Sequence, residues 1–444
     1  MTRQRASKKE ILGWAMFDFA NQSYTLLIIT VIFGDLFTRL IVGDAENNYR
    51  LGNLLWSLSL ATGYLLVVIT APFLGAVMDL SARRKQFLFI SYLVTVITTT
   101  LLYFVAPGYI LLGMLLIVVS NYAYSIGESF IASFLPDLGP AKDLGRISGF
   151  GWALGYVGGL VATGIALLFL GEVSADNFDN VRWVGPFAAA FFLLAAIPTF
   201  LWLKENGTPH PVGQADMWQQ GLKRVRSSLT YLTDYHDLRI FLLSALFAMS
   251  GIYIIIAFTF IYGAQVIGWD ERMRVLTFIT VQVTATAGAI LFGWIQDRMG
   301  SRFTYGFTLL FWILAILLIW QTPQLTAWLN QFGHELQMQD VFIVVAVAAG
   351  LCLGATQSAS RAIVGQLTPL ARAAEFFGFW GLSHKLAAII GLVGVGLMQA
   401  WVGLQNAILL CALFFALAFI VCLKVNFPRG QAVAERYRED SQPH

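Results

Sequence analysis

The sequence predicts an all-α polytopic membrane protein with twelve transmembrane helices arranged as two six-helix pseudo-symmetric halves. Three observations carry this. Of the 444 residues, 58% are hydrophobic and only 12% charged, with a mean hydropathy of +0.70, whereas soluble chains run near a quarter charged. The apolar residues gather into runs of about 20, the length that crosses a bilayer as a helix. Short features also recur in order between the first and second halves of the chain, at offsets of 218 and 229 residues.

The spans are expected near 11–41, 52–78, 86–106, 109–135, 144–171, 182–203, 238–266, 275–297, 303–321, 341–367, 376–400 and 403–425. The first run is too long for one straight crossing, so it is expected to tilt or to project past the outer surface around Asp35 and Arg39. No small-residue cleavage pattern interrupts it, so no cleaved signal peptide is expected. The resulting organisation is an N-terminal six-helix bundle (1–203), a cytoplasmic linker (204–237), a C-terminal six-helix bundle (238–425) and a cytoplasmic tail (426–444). The linker opens with the helix breakers Gly207, Pro209, Pro211 and Gly213. Trp218, Leu222, Val225, Leu229 and Leu232 then follow at helical spacing, with Lys223, Arg224 and Arg226 off that face. This pattern suits an amphipathic helix on the inner leaflet, with a partner-docking helix as the alternative.

Orientation follows from the basic residues. With the N-terminus inside, 21 Lys and Arg lie on inner segments, against five (Arg39, Arg50, Arg182, Arg272, Arg274) outside. Both termini are therefore expected in the cytoplasm, in a bacterial inner membrane, and Asn206-Gly-Thr208 is an unused glycosylation acceptor.

Several chemistries are poorly served. Cys352, Cys411 and Cys422 sit in apolar stretches with no paired spacing, and the five histidines lack metal-ligand spacing. No metal or cofactor is expected. The formal net charge of +3 is not concentrated in one basic patch, which speaks against nucleic acid. There is no phosphate-binding Gly-rich loop ending in Gly-Lys-Ser/Thr, so ATP hydrolysis is not the driving force.

The internal repeat is specific. Gly75-Ala-Val-Met-Asp79-Leu-Ser-Ala-Arg83-Arg84 after the second span matches Gly293-Trp-Ile-Gln-Asp297-Arg298-Met-Gly300-Ser-Arg302 after the eighth, and both the Gly pair and the Asp pair are 218 apart. Gly149-Phe150 and Gly378-Phe379 are 229 apart, as are Glu128 and Gln357. Two copies of one pattern at equivalent positions indicate a duplicated six-helix unit. Gly75, Asp79, Arg83, Gly293, Asp297 and Arg298 are the candidate gating residues.

Twelve spans, the duplicated unit and the Gly-x-x-x-Asp loop with trailing Arg resemble the major facilitator superfamily over nearly the whole chain. Trp14-Ala-Met-Phe-Asp18-Phe-Ala-Asn21-Gln-Ser-Tyr24 is similar to the signature of the vacuole-effluxer, autophagy-related permease family and its bacterial relatives. Ser360-Arg361 and Glu375-Phe-Phe-Gly378-Phe are similar to that family's other recurring stretches. The resemblance implies alternating access and, from the fungal branch, amino-acid efflux. It also implies that spans 1, 4, 10 and 11 surround a central cavity. The first loop departs from the superfamily pattern, with Leu80 and Ala82 where a base and Gly are usual.

Ionisable residues inside spans are costly and mark function by default. Counting residues at 1.5 Å each, Asp18 in the first span, Glu128 in the fourth, Arg361 in the tenth and Lys385 in the eleventh share a layer roughly 9–13 Å from the inner surface. Their charges sum to zero, acids in one half and bases in the other. Gln22 lies one turn from Asp18, Tyr124 and Asn121 one and two turns from Glu128, and Gln357 one turn from Arg361. With Asn21 these make polar stripes suited to a wet cavity, although which acid meets which base stays open.

The expected function is secondary active transport of a small solute by alternating access, in a monomer surrounded by lipid bilayer. Protons are the expected coupling ion, carried by Glu128 and then Asp18, because a carboxylate withdrawn from water binds a proton more readily. Arg361 and Lys385 could hold a carboxylate or phosphate on the solute. A lipid or amphipathic-drug exporter is the alternative within the class, and a membrane-embedded enzyme or sensor the alternative outside it.

Overall fold

The computed structural model describes residues 4–47, 49–171, 173–206, 219–226 and 235–439, and among these every regular element is helical. The spans are α1 (Lys8–Val42), α2 (Arg50–Ser81), α3 (Arg84–Phe104), α4 (Ile110–Asp137), α5 (Ala141–Leu170), α6 (Phe178–Trp202), α7 (His236–Ile267), α8 (Arg272–Met299), α9 (Ser301–Trp320), α10 (Met338–Leu367), α11 (Leu370–Ala407) and α12 (Leu409–Cys422). The first eleven are each long and apolar enough to cross a membrane, whereas α12 reaches that length only with its continuation Phe427–Arg436, bent by 63°. Gly403 explains the short last helix. Its φ of 77° breaks α11, and residues 404–407 already belong to the return, which passes Ile408 in helical geometry into α12. The sequence boundary at 403 therefore marks a physical turn, made by the residue type that tolerates positive φ.

The long first run is accommodated by irregular winding. Ser7 caps its start by accepting from the Glu10 amide at 3.2 Å, the helix widens into π-type turns from Tyr24 to Val31, and it breaks at Ile32 (φ −115°). Beyond the break, the exposed pair Asp35–Arg39 closes at 3.1 Å, in a segment whose Phe33, Leu36, Phe37 and Ile41 are buried.

Within the N-terminal half, α1 packs on α5 and α6 while α4 packs on α2 and α3; within the C-terminal half, α8, α9 and α11 are matched by α10, α12 and α7. Between the halves, α2 lies against α11 and α5 against α8 and α10. The outward surface carries Leu111, Leu168, Phe169, Leu194 and Trp401, all at least 65% exposed, as a lipid-facing surface requires.

Two segments at the face that holds the chain ends modify the sequence expectation. In the linker, residues 219–226 are helical, and the buried side is only partly the predicted one: Val225 packs against the core. Leu222 is 63% exposed, while Arg224 turns inward to Glu375 at 3.0 Å, whose side chain is fully buried. A buried carboxylate needs a cation more than the helix needs to cover one leucine. Trp218, Leu229, Leu232, the breakers Gly207 to Gly213 and the Thr208 end of the glycosylation pattern lie outside the described residues. In the tail, Phe427–Glu439 forms a helix fixed to the start of α7 by Arg429, which donates to Asp237 at 2.7 and 2.8 Å. The Asn426 amide adds a bond to the same carboxylate at 2.8 Å.

Candidate functional site

The repeated loops meet the opposite half in two equivalent contacts. Asp79, at the end of α2, accepts the backbone N–H groups of Ala374 (3.1 Å) and Glu375 (2.9 Å) at the start of α11. Asp297, at the end of α8, accepts those of Gly145 (2.9 Å) and Arg146 (3.0 Å) at the start of α5. Each carboxylate thus satisfies orphan donors and faces the positive end of a helix dipole.

The glycines permit this approach. A Cβ on Gly75 would lie 2.2 Å from the Ala374 oxygen, and one on Gly378 2.5 Å from the Ala71 oxygen. A Cβ on Gly293 would lie 2.6 Å from the Gly145 oxygen, and one on Gly149 2.3 Å from the Ala289 oxygen. Both sequence echoes are therefore two sides of one device: Gly and Asp one turn apart on α2 or α8, amide donor and Gly one turn apart on α11 or α5.

The basic members of the motif sit elsewhere than the sequence suggests. Arg83 is exposed while its neighbour Arg84 is buried, bonding Asp137 at 2.5 Å and the Ser133 carbonyl at 3.0 Å within its own half. Arg298 lies over the Trp294 ring at 3.8 Å, and the base on Asp297 is Arg146, with Nε at 2.9 Å. Ala82 adopts a left-handed conformation (φ 51°, ψ 37°), whereas Gly300 in the matching loop has φ 90° and ψ 153°, so the two loops share a positive φ at this position but turn differently.

One layer deeper, the four buried charges form two pairs, each bridging the halves. Arg361 of α10 donates to Asp18 of α1 at 2.7 Å and also to the hydroxyl and carbonyl of Ser148 on α5, at 3.2 and 3.0 Å. Its guanidinium lies 4.5 Å from the Trp14 ring centroid and 5.3 Å from that of Trp152. Such a planar cation, forked and sandwiched by indoles, is a role for Arg and not Lys. Gly151 makes room for it, since a Cβ there would lie 2.6 Å from the Asp18 carboxylate and 2.7 Å from the Arg361 guanidinium.

The second pair has Lys385 of α11 donating to Glu128 of α4 at 2.8 Å, with Nζ 5.1 Å from the Tyr64 ring. Glu128 also accepts from Tyr124 at 3.0 Å, whose hydroxyl shares a 2.6 Å bond with Thr25 of α1. The Glu128 side chain keeps 27% of its surface, against 10% for Asp18. Lys385, at 7%, points to its partner and does not snorkel to a surface.

Asp18, Glu128 and Arg361 line a small space of about 20 Å³, room for about one water, together with Asn21, Gln22, Trp152 and Trp380. Gln357 is adjacent and accepts from Tyr156. Asn121 is not part of this cavity: it is fully buried and donates to the Leu60 carbonyl of α2 at 3.2 Å, so it serves packing inside the N-terminal half. Sequence reading missed Trp14, Ser148, Trp152, Tyr64, Trp380 and Arg146. Four of these are aromatic residues in a chain that is 14% aromatic, where lipid, core and cavity use the same types.

Comparison with known proteins fits this geometry. A family model described as "Vacuole effluxer Atg22 like" matches residues 54–145 and 140–435. The chain belongs to that family. An MFS-type transporter of Bacillus subtilis (strain 168), YxiO, is 25% identical over 401 residues, covering 87% of each chain. Autophagy-related protein 22 of Cryptococcus neoformans is 24% identical over 310 residues, 67% of this chain and 53% of the fungal one. In fold, this transporter is similar to the major facilitator proton:xylose symporter XylE, with TM-score 0.71 and 13% identity over 97% of this chain and 98% of that one. It is also similar to the human organic anion transporter MFSD10, with TM-score 0.71 and 14% identity over 94% and 99%. The protein is thus a multi-pass membrane transporter with the major facilitator fold, and not an enzyme.

Proposed function

We propose that this transporter moves a small solute by proton-coupled alternating access, with amino acids or related compounds as its efflux substrates and both chain ends in the cytoplasm of a bacterial cell. Residues 1–203 and 238–425 act as the rocking halves, the linker 204–237 ties them together, and 426–444 is a cytoplasmic tail. The observation that carries this reading is the pair of buried ion bridges between the halves, Asp18–Arg361 and Glu128–Lys385, around one enclosed cavity. Charges in a low-dielectric layer are stable when paired and must hydrate when the halves part, so rocking and charge pairing are coupled.

The two pairs divide the work. Each guanidinium nitrogen of Arg361 bonds a protein group, and the side chain ties α10 to α1 and α5, which suits a structural lock. Glu128 is the more exposed acid, and protonating it would release Lys385 to a solute carboxylate. Accordingly, Glu128→Gln should abolish gradient-driven transport in proteoliposomes while solute counterflow continues. Native transport with an unchanged pH profile in this variant would reject the coupling role.

Asp79 and Asp297 hold the gate at the terminal face. Asp297→Asn keeps one acceptor but loses the charge that faces the α5 terminus, so turnover should fall several-fold with solute affinity in detergent nearly unchanged. An affinity loss as large as the loss of turnover would move Asp297 into the binding site.

A further inference from the structure

The charges around the cavity are spent on one another, but three uncharged polar atoms are not. Nε1 of Trp152, Nε1 of Trp380 and Oδ1 of Asn21 are buried without a hydrogen-bond partner in the protein. All three residues line the same enclosed cavity, and Trp380 and Asn21 are 5% and 4% exposed. Buried donors and acceptors of this kind are satisfied in nearly all native structures by protein, water or ligand, so their clustering marks a place for one water or one ligand atom. The two indoles come from opposite halves, Trp152 from α5 and Trp380 from α11.

We infer that Trp152 and Trp380 are a pair of solute-recognising donors that grip one oxygen acceptor of a solute carrying no net charge, while Asn21 accepts from a donor on the same solute. An indole N–H can only donate, so the group it receives must offer an oxygen lone pair. While Glu128 is ionised the surrounding carboxylates and bases cancel, so a net charge on the solute would leave one ion uncompensated in that state. Because the donors belong to different halves, a solute bound by both fastens α5 to α11 and favours the occluded arrangement over one with the halves apart. The inference rests on the reading that this cavity carries the solute, and deepens it by naming the group recognised.

The test uses the full-length protein with 15N-labelled tryptophan in detergent micelles. Trp152→Phe and Trp380→Phe assign the two indole signals among the 13 tryptophans; Phe keeps an aromatic ring against Arg361 and against His384, whose ring is tilted at 48° to Trp380 at 4.1 Å, and removes the donor. Four probes are titrated: acetamide and glycine, which offer an oxygen without net charge, and acetate and methylammonium. The expected result is that acetamide and glycine move both indole signals, that acetate and methylammonium at equal concentration do not, and that each Phe variant weakens glycine binding roughly 3- to 10-fold with an unchanged Tm of the ligand-free protein. A response to methylammonium equal to that of acetamide overturns the donor assignment. An equal response to acetate and glycine overturns the charge requirement, and no response of either indole to acetamide or glycine overturns the inference as a whole. Native transport by both Phe variants would also overturn it while leaving the transport reading intact; a Glu128→Gln protein with normal gradient-driven transport would instead remove proton coupling and leave the indole result standing.

Discussion

Arg361→Ala is expected to destabilise the purified protein by about 3–5 kcal/mol, the cost of stranding one member of a buried ion pair, and to abolish transport. The substitution leaves the Asp18 carboxylate facing Ser148 and two indoles without its cation and empties the space between Trp14 and Trp152. Asp18→Ala in the same chain should recover part of this loss, because it removes the stranded charge. Glu128→Ala should not, because Glu128 already has Lys385 at 2.8 Å, and its effect should add to that of Arg361→Ala within about 0.5 kcal/mol. Thermal or denaturant unfolding of the four proteins in each double-mutant cycle measures the two couplings. Equal couplings to Asp18 and Glu128, or none to Asp18, would contradict the pairing seen here.

The second large effect is steric. Gly75→Val and Gly149→Val place side chains where even a Cβ would sit 2.2 Å and 2.3 Å from a backbone oxygen of the facing helix. Neither α11 nor α8 can yield without moving a whole helix, and overpacking of this kind costs about 1–3 kcal/mol or more. The penalty falls only on the arrangement in which the terminal face is closed. It therefore shifts the equilibrium between the two faces by roughly 5- to 150-fold, and transport should fall steeply while the folded protein still forms. In a background with the three native cysteines replaced, Ser360→Cys, buried at 1% exposure in the closed structure, should become reactive to a polar thiol reagent from the terminal side when either valine is present. Unchanged labelling together with native transport would show that these crossings open and close without the close approach. Because the two glycines occupy equivalent crossings, the variants should behave alike, which separates a gating effect from a local fault in one helix.

The sequence by itself determined the class of molecule and most of its plan. Spans are legible because a bilayer demands about 20 apolar residues per crossing, and a run of that length needs no tertiary partner to be recognised. The duplication is legible because Gly75–Asp79 and Gly293–Asp297 repeat at one offset, and the four intramembrane charges are legible because such residues are too costly to occur without purpose. Even the turn at Gly403 coincides with the boundary at which the twelfth apolar run was expected to start. What the chain does at those positions depended on contacts between residues hundreds of positions apart.

Only the tertiary structure paired Asp18 with Arg361 and Glu128 with Lys385, since depth along a helix fixes a layer but not an azimuth, and every pairing in that layer cancels charge equally well. It also gave Asp297 its base from Arg146 of the opposite half and not from the adjoining Arg298, and turned Arg84, not Arg83, inward to Asp137, choices that depend on which helices meet. Asn121 left the cavity for the α2 backbone, and Arg224 turned inward to Glu375 against the helical pattern of its own segment, in each case because a buried polar group takes the nearest partner that completes its hydrogen bonds. The indoles of Trp14, Trp152 and Trp380 were invisible as site residues for a related reason. In a membrane protein an aromatic side chain is equally at home against lipid, in the core or at a cavity wall, and only the packing of one half against the other decides which.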